Sequence, residues 1–505
     1  MRVSLRRILA MFLVPVLICS ISGTRPNLNP VSAADEHTFA TAAAKAAVPK
    51  DPFVTNNGLI PPASEYQGPM FTLSHAWPTQ PLPPMSVPPW QKAIGGGRIT
   101  TQNAGIYVEA LKQYVSANAR VLLLDYANWD AAKAGWYTEP WLGSIRESIH
   151  GTYSAGQFGP SIFPGTGLIT TFDTHVLTYY DQRAAYTLYK VWGEAAMNPS
   201  ITTENFQFPE GSVVVKAAVF VSDNPAVQQN WWPVTNGAAA WPIYTSIPEA
   251  NPGSPAVLTS YVMQFDIIVK DSIAAPQTGW VFSTLVYDLN APGNDAWDKM
   301  VPLGAMWGND PGLNPEQNPA VNLQENWINP SAPQYSTQTL GWGGRLSGPN
   351  DGATNDISVG GKVLINHRDS SCMSCHSPAE WQPVQHKMLS FLLPSFPNPF
   401  PGPPFKPCPV GDPNGPYICS PAPASPEWSR WFQSHPGTEP LDPDTGSIAT
   451  DYDMVFAFKT LPMWWKATGG SLTAPMPFTL RMLKRGAETP QKYNEYTGAP
   501  LKPQP

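Results

Sequence analysis

The segment SYVMQFDIIVKDS, residues 260–272, alternates apolar and polar side chains with a period of two. In an extended chain its apolar side chains fall on one face and its polar side chains on the other. The first face carries Tyr261, Met263, Phe265, Ile267 and Val269, and the second carries Gln264, Asp266 and Lys270. This alternation is typical of a half-buried antiparallel strand. It predicts a sheet with a core on one side.

Two more segments have the composition of strands. GSVVVKAAVFVSD (211–223) and GWVFSTLVYD (279–288) are β-branched and aromatic runs bounded by Gly, Ser and Asp. Because no repeat of fixed length is present, an antiparallel sandwich and an antiparallel barrel are both expected alternatives. Trp280 and Trp297 are expected to be core or rim aromatics rather than ligand-stacking residues.

Helical patterns precede these strands. TQNAGIYVEALKQYVSANARVLLLD (101–125) has Ile106, Ala110, Leu111 and Val115 at helical spacing, and DQRAAYTLYKVWGEAA (181–196) has a similar pattern. The stretch between them, 154–168, is rich in turn residues. The fold class is therefore predicted to be α+β, with a few helices beside the sheet.

The length of 505 residues is too great for one compact core and predicts at least two domains. Apolar residues make up 42% and charged residues only 13%, while Gly and Pro number 39 and 59. This composition favours a β-rich, loop-rich protein. The segment 341–361 contains seven glycines in 21 residues and predicts a boundary. We expect a β-rich region at 34–345 and a small, mainly α domain at 346–505.

The first 33 residues have the features of a secretory signal peptide. Three arginines precede an apolar run from Ile8 to Cys19, and the small residues at 31–34 predict cleavage near Ala33. The run is shorter than the roughly 20 residues that cross a bilayer, so we expect a periplasmic or extracellular protein with no membrane span in the mature chain. Cleavage would remove four arginines and no acid, taking the net charge from −7 to about −11. Such a surface disfavours nucleic acid as a partner.

A proline-rich loop is expected at 394–426, where 13 of 33 residues are Pro. Proline at this density excludes helices and central strands. The loop contains Cys408 and Cys419, and a disulfide between them would restrain a segment with little core of its own.

The other two cysteines of the mature chain lie in Cys372-Met373-Ser374-Cys375-His376. A chance match to C-x-x-C-H is expected only roughly 0.0008 times in this composition. A zinc site would need further ligands in a close pair, and a redox dithiol would follow a βαβ pattern, which is missing nearby. A plain disulfide leaves the histidine unexplained. A covalently bound haem accounts for both thiols and the imidazole together.

The stretch CMSCHSPAEW resembles the haem-attachment segment of c-type cytochromes. The resemblance implies that residues 346–505 form a cytochrome c-like haem domain that contains the proline-rich loop. It implies one covalent haem c, attached through Cys372 and Cys375, with His376 as the proximal iron ligand. Large secreted bacterial proteins with a single haem motif contain stretches that resemble GWVFSTLVYD, WDKMVPLGAMWGNDP and LGWGGRLSGP. This resemblance does not indicate an activity.

The sixth iron ligand differs from the pattern of compact cytochromes, in which a methionine follows several dozen residues after the histidine. Met476, in TAPMPFT, has a suitable turn context but lies 100 residues downstream. An iron with an open sixth position also remains an alternative. The other candidates are Met388, Met454, Met463, Met482, His367, His386 and His435.

Three functions follow from these predictions. The first is one-electron transfer to a redox partner protein through the haem. The second is a haem oxidoreductase, peroxidase-like or ligand-binding, with an open iron site; a dihaem peroxidase would need a second motif. The third is a binding module at 40–345 for a polymer or small molecule, with the haem as an accessory. The sequence has no G-x-S-x-G, phosphate-loop, H-E-x-x-H or EF-hand motif.

Overall fold

The computed structural model describes residues 50–158, 162–166, 168, 172–222, 233–246, 255–315, 318–359, 362–368, 370–384, 386, 432–441 and 446–469. Several predictions lie outside these residues. They are the signal peptide, the proline-rich loop with Cys408 and Cys419, and Met476 as an iron ligand. None of the helices in the described residues is both long enough and apolar enough to cross a membrane.

One antiparallel sheet of nine strands forms the centre of the molecule, in the order β1-β3-β4-β6-β7-β8-β9, with β2 also paired to β3 and β5 to β6. The strands are β1 (Trp136–Tyr137), β2 (Tyr153–Phe158), β3 (Phe172–Asp181), β4 (Val213–Val221), β5 (Ala240–Thr245), β6 (Ala256–Lys270), β7 (Trp280–Tyr287), β8 (Met300–Met306) and β9 (Asn326–Ile328). The three predicted strands are β4, β6 and β7, which lie side by side. The predicted turn region is wrong in part, because residues 154–158 belong to β2, and β3 was not predicted.

Within the part of the chain that the structure describes, the strands form neither a sandwich nor a barrel. In the described residues the nine strands make a single sheet whose path runs from β1 to β9. What was confirmed is the coarser prediction, a large antiparallel sheet with a few helices. Both faces of this sheet are covered, so the architecture has three layers.

Helices lie along and between the strands. They are α1 (Pro89–Ala93), α2 (Ala104–Leu124), α3 (Ala131–Ala134), α4 (Gln182–Trp192), α5 (Thr203–Phe206), α6 (Gln334–Thr337), α7 (Cys372–His376) and α8 (Leu461–Thr468), the last preceded by a π-helical segment, Val455–Thr460. The two predicted helices are α2 and α4.

The first core lies between α2 and the sheet. Tyr107, Leu111 and Val115 of α2 pack there with Phe265 and Ile267 of β6. All five apolar residues predicted for one face of β6 point into this core or against it. The predicted apolar face of α2 is wrong at one position: Ile106 is 55% exposed and its neighbour Tyr107 is buried.

The second core covers the other face of the sheet. Phe282 and Met306 of the sheet pack there with α4 and with residues from the C-terminal part of the chain, including Met373, Phe456 and Trp464. The described residues after 346 therefore pack directly on the sheet. They also contain two strand pairs, β10 (Thr354–Val359) with β11 (Lys362–Arg368) and β12 (Glu380–Trp381) with β13 (Ile448–Ala449). The boundary at 345/346 and a separate, mainly α haem domain stay predictions.

A half-buried strand would expose its polar face to solvent, but the polar face of β6 is buried. Gln264 is 0%, Asp266 5% and Lys270 8% exposed. Buried polar groups need hydrogen-bond partners. Gln264 binds Asp351, Asp266 binds Lys216, and Lys270 binds Asp451.

Candidate functional site

Residues 372–376 form the short helix α7, and the preceding serine starts it. The Ser371 hydroxyl accepts a hydrogen bond from the Ser374 amide at 3.1 Å, and the Ser374 hydroxyl accepts one from the Ser371 amide at 2.8 Å. This reciprocal pair is a capping box. The motif therefore carries its own helix-start signal.

Helix α7 places the three predicted site residues together. Positions i, i+3 and i+4 share one face of a helix, and Cys372, Cys375 and His376 are all half-buried. Met373 and Ser374 point the other way and are fully buried. The Met373 amide lies 3.4 Å from the sulfur of Met306 on β8, so the inner side of α7 is fixed to the sheet.

The imidazole of His376 is oriented by a backbone carbonyl. Its Nδ1 lies 2.8 Å from the carbonyl oxygen of Tyr452. A carbonyl can only accept, so Nδ1 carries the hydrogen and the lone pair is on Nε2. The ring also makes an edge contact with Phe282, with centroids 4.8 Å apart. Burial lowers the pKa of His376 to about 4, so the imidazole is neutral near pH 7, the form that binds a metal.

Cys372 is a free thiol, so it is not joined to Cys375. Its sulfur lies 3.6 Å from Oδ2 of Asp351. Burial, and then the negative charge of Asp351, raise the pKa of the Cys372 thiol well above its ordinary value. Reactive dithiols and zinc sites need thiolates, so this environment disfavours both. In the described residues no three His, Cys, Asp or Glu side chains are grouped as metal ligands.

A largely buried group of polar side chains lies between Asp351 and the sheet. We call it the Lys216 cluster: Lys216, Gln264, Asp266, Thr284 and Asp351. The Lys216 ammonium lies 2.7 Å from Asp266 and 2.9 Å from Asp351. The Gln264 side-chain amide donates to both carboxylates. The sequence contained one signal of this cluster, the polar face of β6.

Two residues of the central strands near the motif are not fully buried. Lys216 and Ile268 lie on the central strands β4 and β6, yet both are half-buried, with the Lys216 side chain 23% exposed. Ile268 pairs across the strands with Phe282, which contacts the His376 ring. The half-buried faces of α7 and of the central sheet are therefore close together, and the sheet is apolar at Ile268 and charged at Lys216.

The segment that orients His376 is itself held by the sheet. Asp451 is fully buried and accepts hydrogen bonds from the Lys270 ammonium at 2.6 Å and the Trp280 indole at 2.8 Å. It also accepts one from the Phe208 amide at 2.9 Å. Tyr452, the next residue, has its carbonyl fixed toward His376. Sequence reasoning missed Asp451 and Tyr452, because nothing local marks them.

Of the described candidates for the sixth ligand, His435 has a carbonyl oxygen beside each ring nitrogen. Its Nδ1 lies 3.1 Å from the Pro436 carbonyl and its Nε2 lies 3.1 Å from the Ser377 carbonyl, so both nitrogens face acceptors. His386 stacks on Trp465, and Met463 packs beside the second core. The side chains of the remaining candidates, apart from Met454, are not among those described.

A second buried acidic group lies next to Tyr452. The Tyr180 hydroxyl is 2.6 Å from Glu139 and 2.8 Å from Asp453. Thr460 of the π-helical segment donates to the other oxygen of Glu139 at 2.8 Å. A hydroxyl has one hydrogen to donate, so one of the two carboxyl groups must carry a proton for both contacts to be hydrogen bonds.

Comparisons with protein-family models, with curated proteins and with solved structures find no match for this chain. Its function therefore has to be argued from the site itself.

Proposed function

We propose that the protein is an exported c-type cytochrome with a single haem that transfers one electron at a time to a redox partner protein. Cys372 and Cys375 would form the thioether bonds to the haem, and His376 would be the proximal iron ligand. One observation carries the proposal. The two sulfurs and the imidazole share one half-buried face of α7, and the Nδ1 hydrogen bond leaves the Nε2 lone pair for a metal.

The residues present fit a haem. Cys372 is a protonated thiol rather than a thiolate, which suits addition of the sulfur to a vinyl group. The neutral imidazole suits a metal bond. The half-buried Ile268 and the ring of Phe282 offer apolar contacts near the histidine. A haem bound in this way supplies an iron that gains and loses single electrons.

The surrounding protein would keep this centre rigid. The carbonyl of Tyr452 orients the imidazole and makes it a better ligand, as partners of metal-bound histidines do. Asp451 holds that carbonyl in place from β6 and β7. Helix α7 contacts β8 through the Met373 amide and the Met306 sulfur. Such a site changes little between two charge states, which favours electron transfer over chemistry on a substrate.

The test is to produce the full chain in a bacterium that attaches haem c and to measure the mass and visible spectrum of the secreted protein. We expect one haem mass on the peptide that contains residue 372. Cys372→Ala and Cys375→Ala should each remove one thioether, whereas Cys408→Ala combined with Cys419→Ala should keep the haem mass. A colourless protein with a disulfide between Cys372 and Cys375 would overturn the proposal.

The sixth ligand decides between electron transfer and the alternative, a haem oxidoreductase or ligand-binding protein with an open iron site. Spectra of the reduced protein with and without carbon monoxide separate the two. We expect slow or no binding of carbon monoxide near pH 7 if a methionine such as Met476 closes the site, and faster binding after Met476→Ala. Rapid binding by the unchanged protein would favour the alternative.

A further inference from the structure

The hydrogen bonds of the Lys216 cluster indicate that the cluster has a net negative charge. Asp266 accepts from the Lys216 ammonium at 2.7 Å, the Gln264 amide at 2.9 Å and the Thr284 hydroxyl at 2.8 Å. Asp351 accepts from Lys216 at 2.9 Å, Gln264 at 3.0 Å and the Gly348 amide at 2.6 Å. Lys216, Gln264 and Gly348 meet these oxygens with N–H groups, which only donate, so both acids accept as carboxylates. Burial raises the pKa of Asp266, and the charge of Lys216 opposes that rise. Two carboxylates and one ammonium leave one unbalanced negative charge.

This charge is located next to helix α7. Asp351 contacts the Cys372 sulfur through Oδ2, and the same carboxylate is held to the central strands through Lys216. Charges in the protein interior are screened less than charges at the surface. The cluster is therefore close enough to the motif for its charge to be felt at a metal bound there.

We propose that the Lys216 cluster sets the reduction potential of the bound haem, with Asp351 lowering it and Lys216 raising it. This inference rests on the function proposed above. Reduction adds one electron, supplied by the redox partner, and breaks no bond. The oxidised centre carries one more positive charge than the reduced centre, so a nearby carboxylate stabilises the oxidised form and a nearby ammonium destabilises it.

The sign of the effect separates this role from a purely structural one. Loss of any member of a buried network lowers stability, whichever charge is removed. A change in reduction potential, in contrast, reverses direction when a negative charge is removed instead of a positive one. Substitutions at Asp351 and Lys216 therefore test the role of charge directly.

The experiment measures the midpoint potential of the haem-loaded full chain by optical titration, with haem attachment checked by mass. Asp351→Asn is expected to raise the potential and Lys216→Met to lower it. The double variant, which keeps Asp266 as its one charged member, is expected to return close to the unchanged protein. Asp271→Asn is the matched control, because Asp271 is a buried acid bound to Trp90 and Tyr107 in the other core.

Shifts in the same direction for Asp351→Asn and Lys216→Met, or shifts no larger than that of Asp271→Asn, would overturn the inference while leaving the cytochrome proposal intact. If Lys216→Met does not fold, Asp266→Asn takes its place and must raise the potential as Asp351→Asn does; a fall or no shift overturns the inference. A protein without attached haem overturns both proposals.

Discussion

The ammonium of Lys270 lies 2.6 Å from Oδ1 of Asp451 and joins the sheet to the segment that orients His376. Lys270 ends β6, and Asp451 immediately precedes Tyr452, whose carbonyl accepts the imidazole hydrogen. Both side chains of the pair are almost fully buried. The orientation of the histidine therefore depends on an ion pair between residues 181 positions apart.

Replacing Asp451 tests this connection. Asp451→Ala leaves the Lys270 ammonium buried without its partner, a change that costs about 3–5 kcal/mol of unfolding free energy in comparable sites. Asp451→Asn should cost less, because an amide oxygen still accepts from Lys270 and Trp280 and because Asn tolerates the positive φ of 52° at this position. Denaturant unfolding measures both. Equal, small losses for the two variants would contradict the importance of the ion pair.

The capping box of α7 is expected to matter for stability and for haem attachment. Ser371→Ala removes the acceptor of the Ser374 amide hydrogen and should cost about 1 kcal/mol. Under the proposal of a covalent haem, it should also lower the fraction of chains that carry haem, measured by mass. Thr202→Ala is the control, because Thr202 caps the short helix α5 through the Asn205 amide. A normal haem content in Ser371→Ala would show that the cap has no part in attachment.

The chain just before α7, at Ser370, packs so closely against residue 341 that this residue must be glycine. A Cβ there would overlap the Ser370 carbonyl oxygen, and the Trp342 amide donates to that same oxygen at 2.9 Å. Gly341→Ala is expected to lower the unfolding free energy by about 1–3 kcal/mol. Gly312→Ala has open space around it and should stay within about 0.5 kcal/mol. Thermal or denaturant unfolding of both variants checks the difference, and similar values would contradict it.

The acidic group at Tyr180 predicts a pH dependence of stability. Burial, and then the charge of Asp453, raise the pKa of Glu139 well above its ordinary range, and burial raises the pKa of Asp453 to about 6. An acid with a raised pKa in the folded state contributes stability that is present below its unfolded pKa, about 4, and is lost as pH rises through its folded pKa. The stability that this pair contributes should therefore fall as the pH rises from about 4 to about 6, and should fall further above that.

Glu139→Gln tests that dependence, because the amide can donate to Tyr180 and accept from Thr460 as a protonated glutamic acid does. Arg146 donates to the Glu139 backbone carbonyl, and its charge opposes the rise of the Glu139 pKa. We expect the variant to lose less stability than the unchanged protein between pH 5 and 8, measured by denaturant unfolding at each pH. Glu109→Gln, at an exposed position of α2, should leave the profile unchanged. Parallel profiles of stability against pH for Glu139→Gln and the unchanged protein would contradict the presence of a proton on this pair of acids.

Much of the local structure followed from sequence. The period of two in β6, the β-branched runs of β4 and β7, and the helical spacing of α2 and α4 each reflect which side chains a single element can bury. These patterns need no knowledge of the rest of the chain. Strand β3 was missed because Asp173, Thr174 and His175 make its start look polar, although all three are buried. The Ile106 error has a similar cause, since spacing alone does not say which of two adjacent residues faces the sheet.

The sequence by itself determined the motif, its spacing and the serine that caps it, because all of these lie within one helical turn. Only the tertiary structure decided what surrounds that turn. It buried the polar face of β6, brought Lys216 and Asp351 together under Cys372, and turned the Tyr452 carbonyl toward His376. These contacts join residues 21, 76 and 135 positions apart. They follow from how layers pack over both faces of a sheet, and no local pattern of residues specifies such packing.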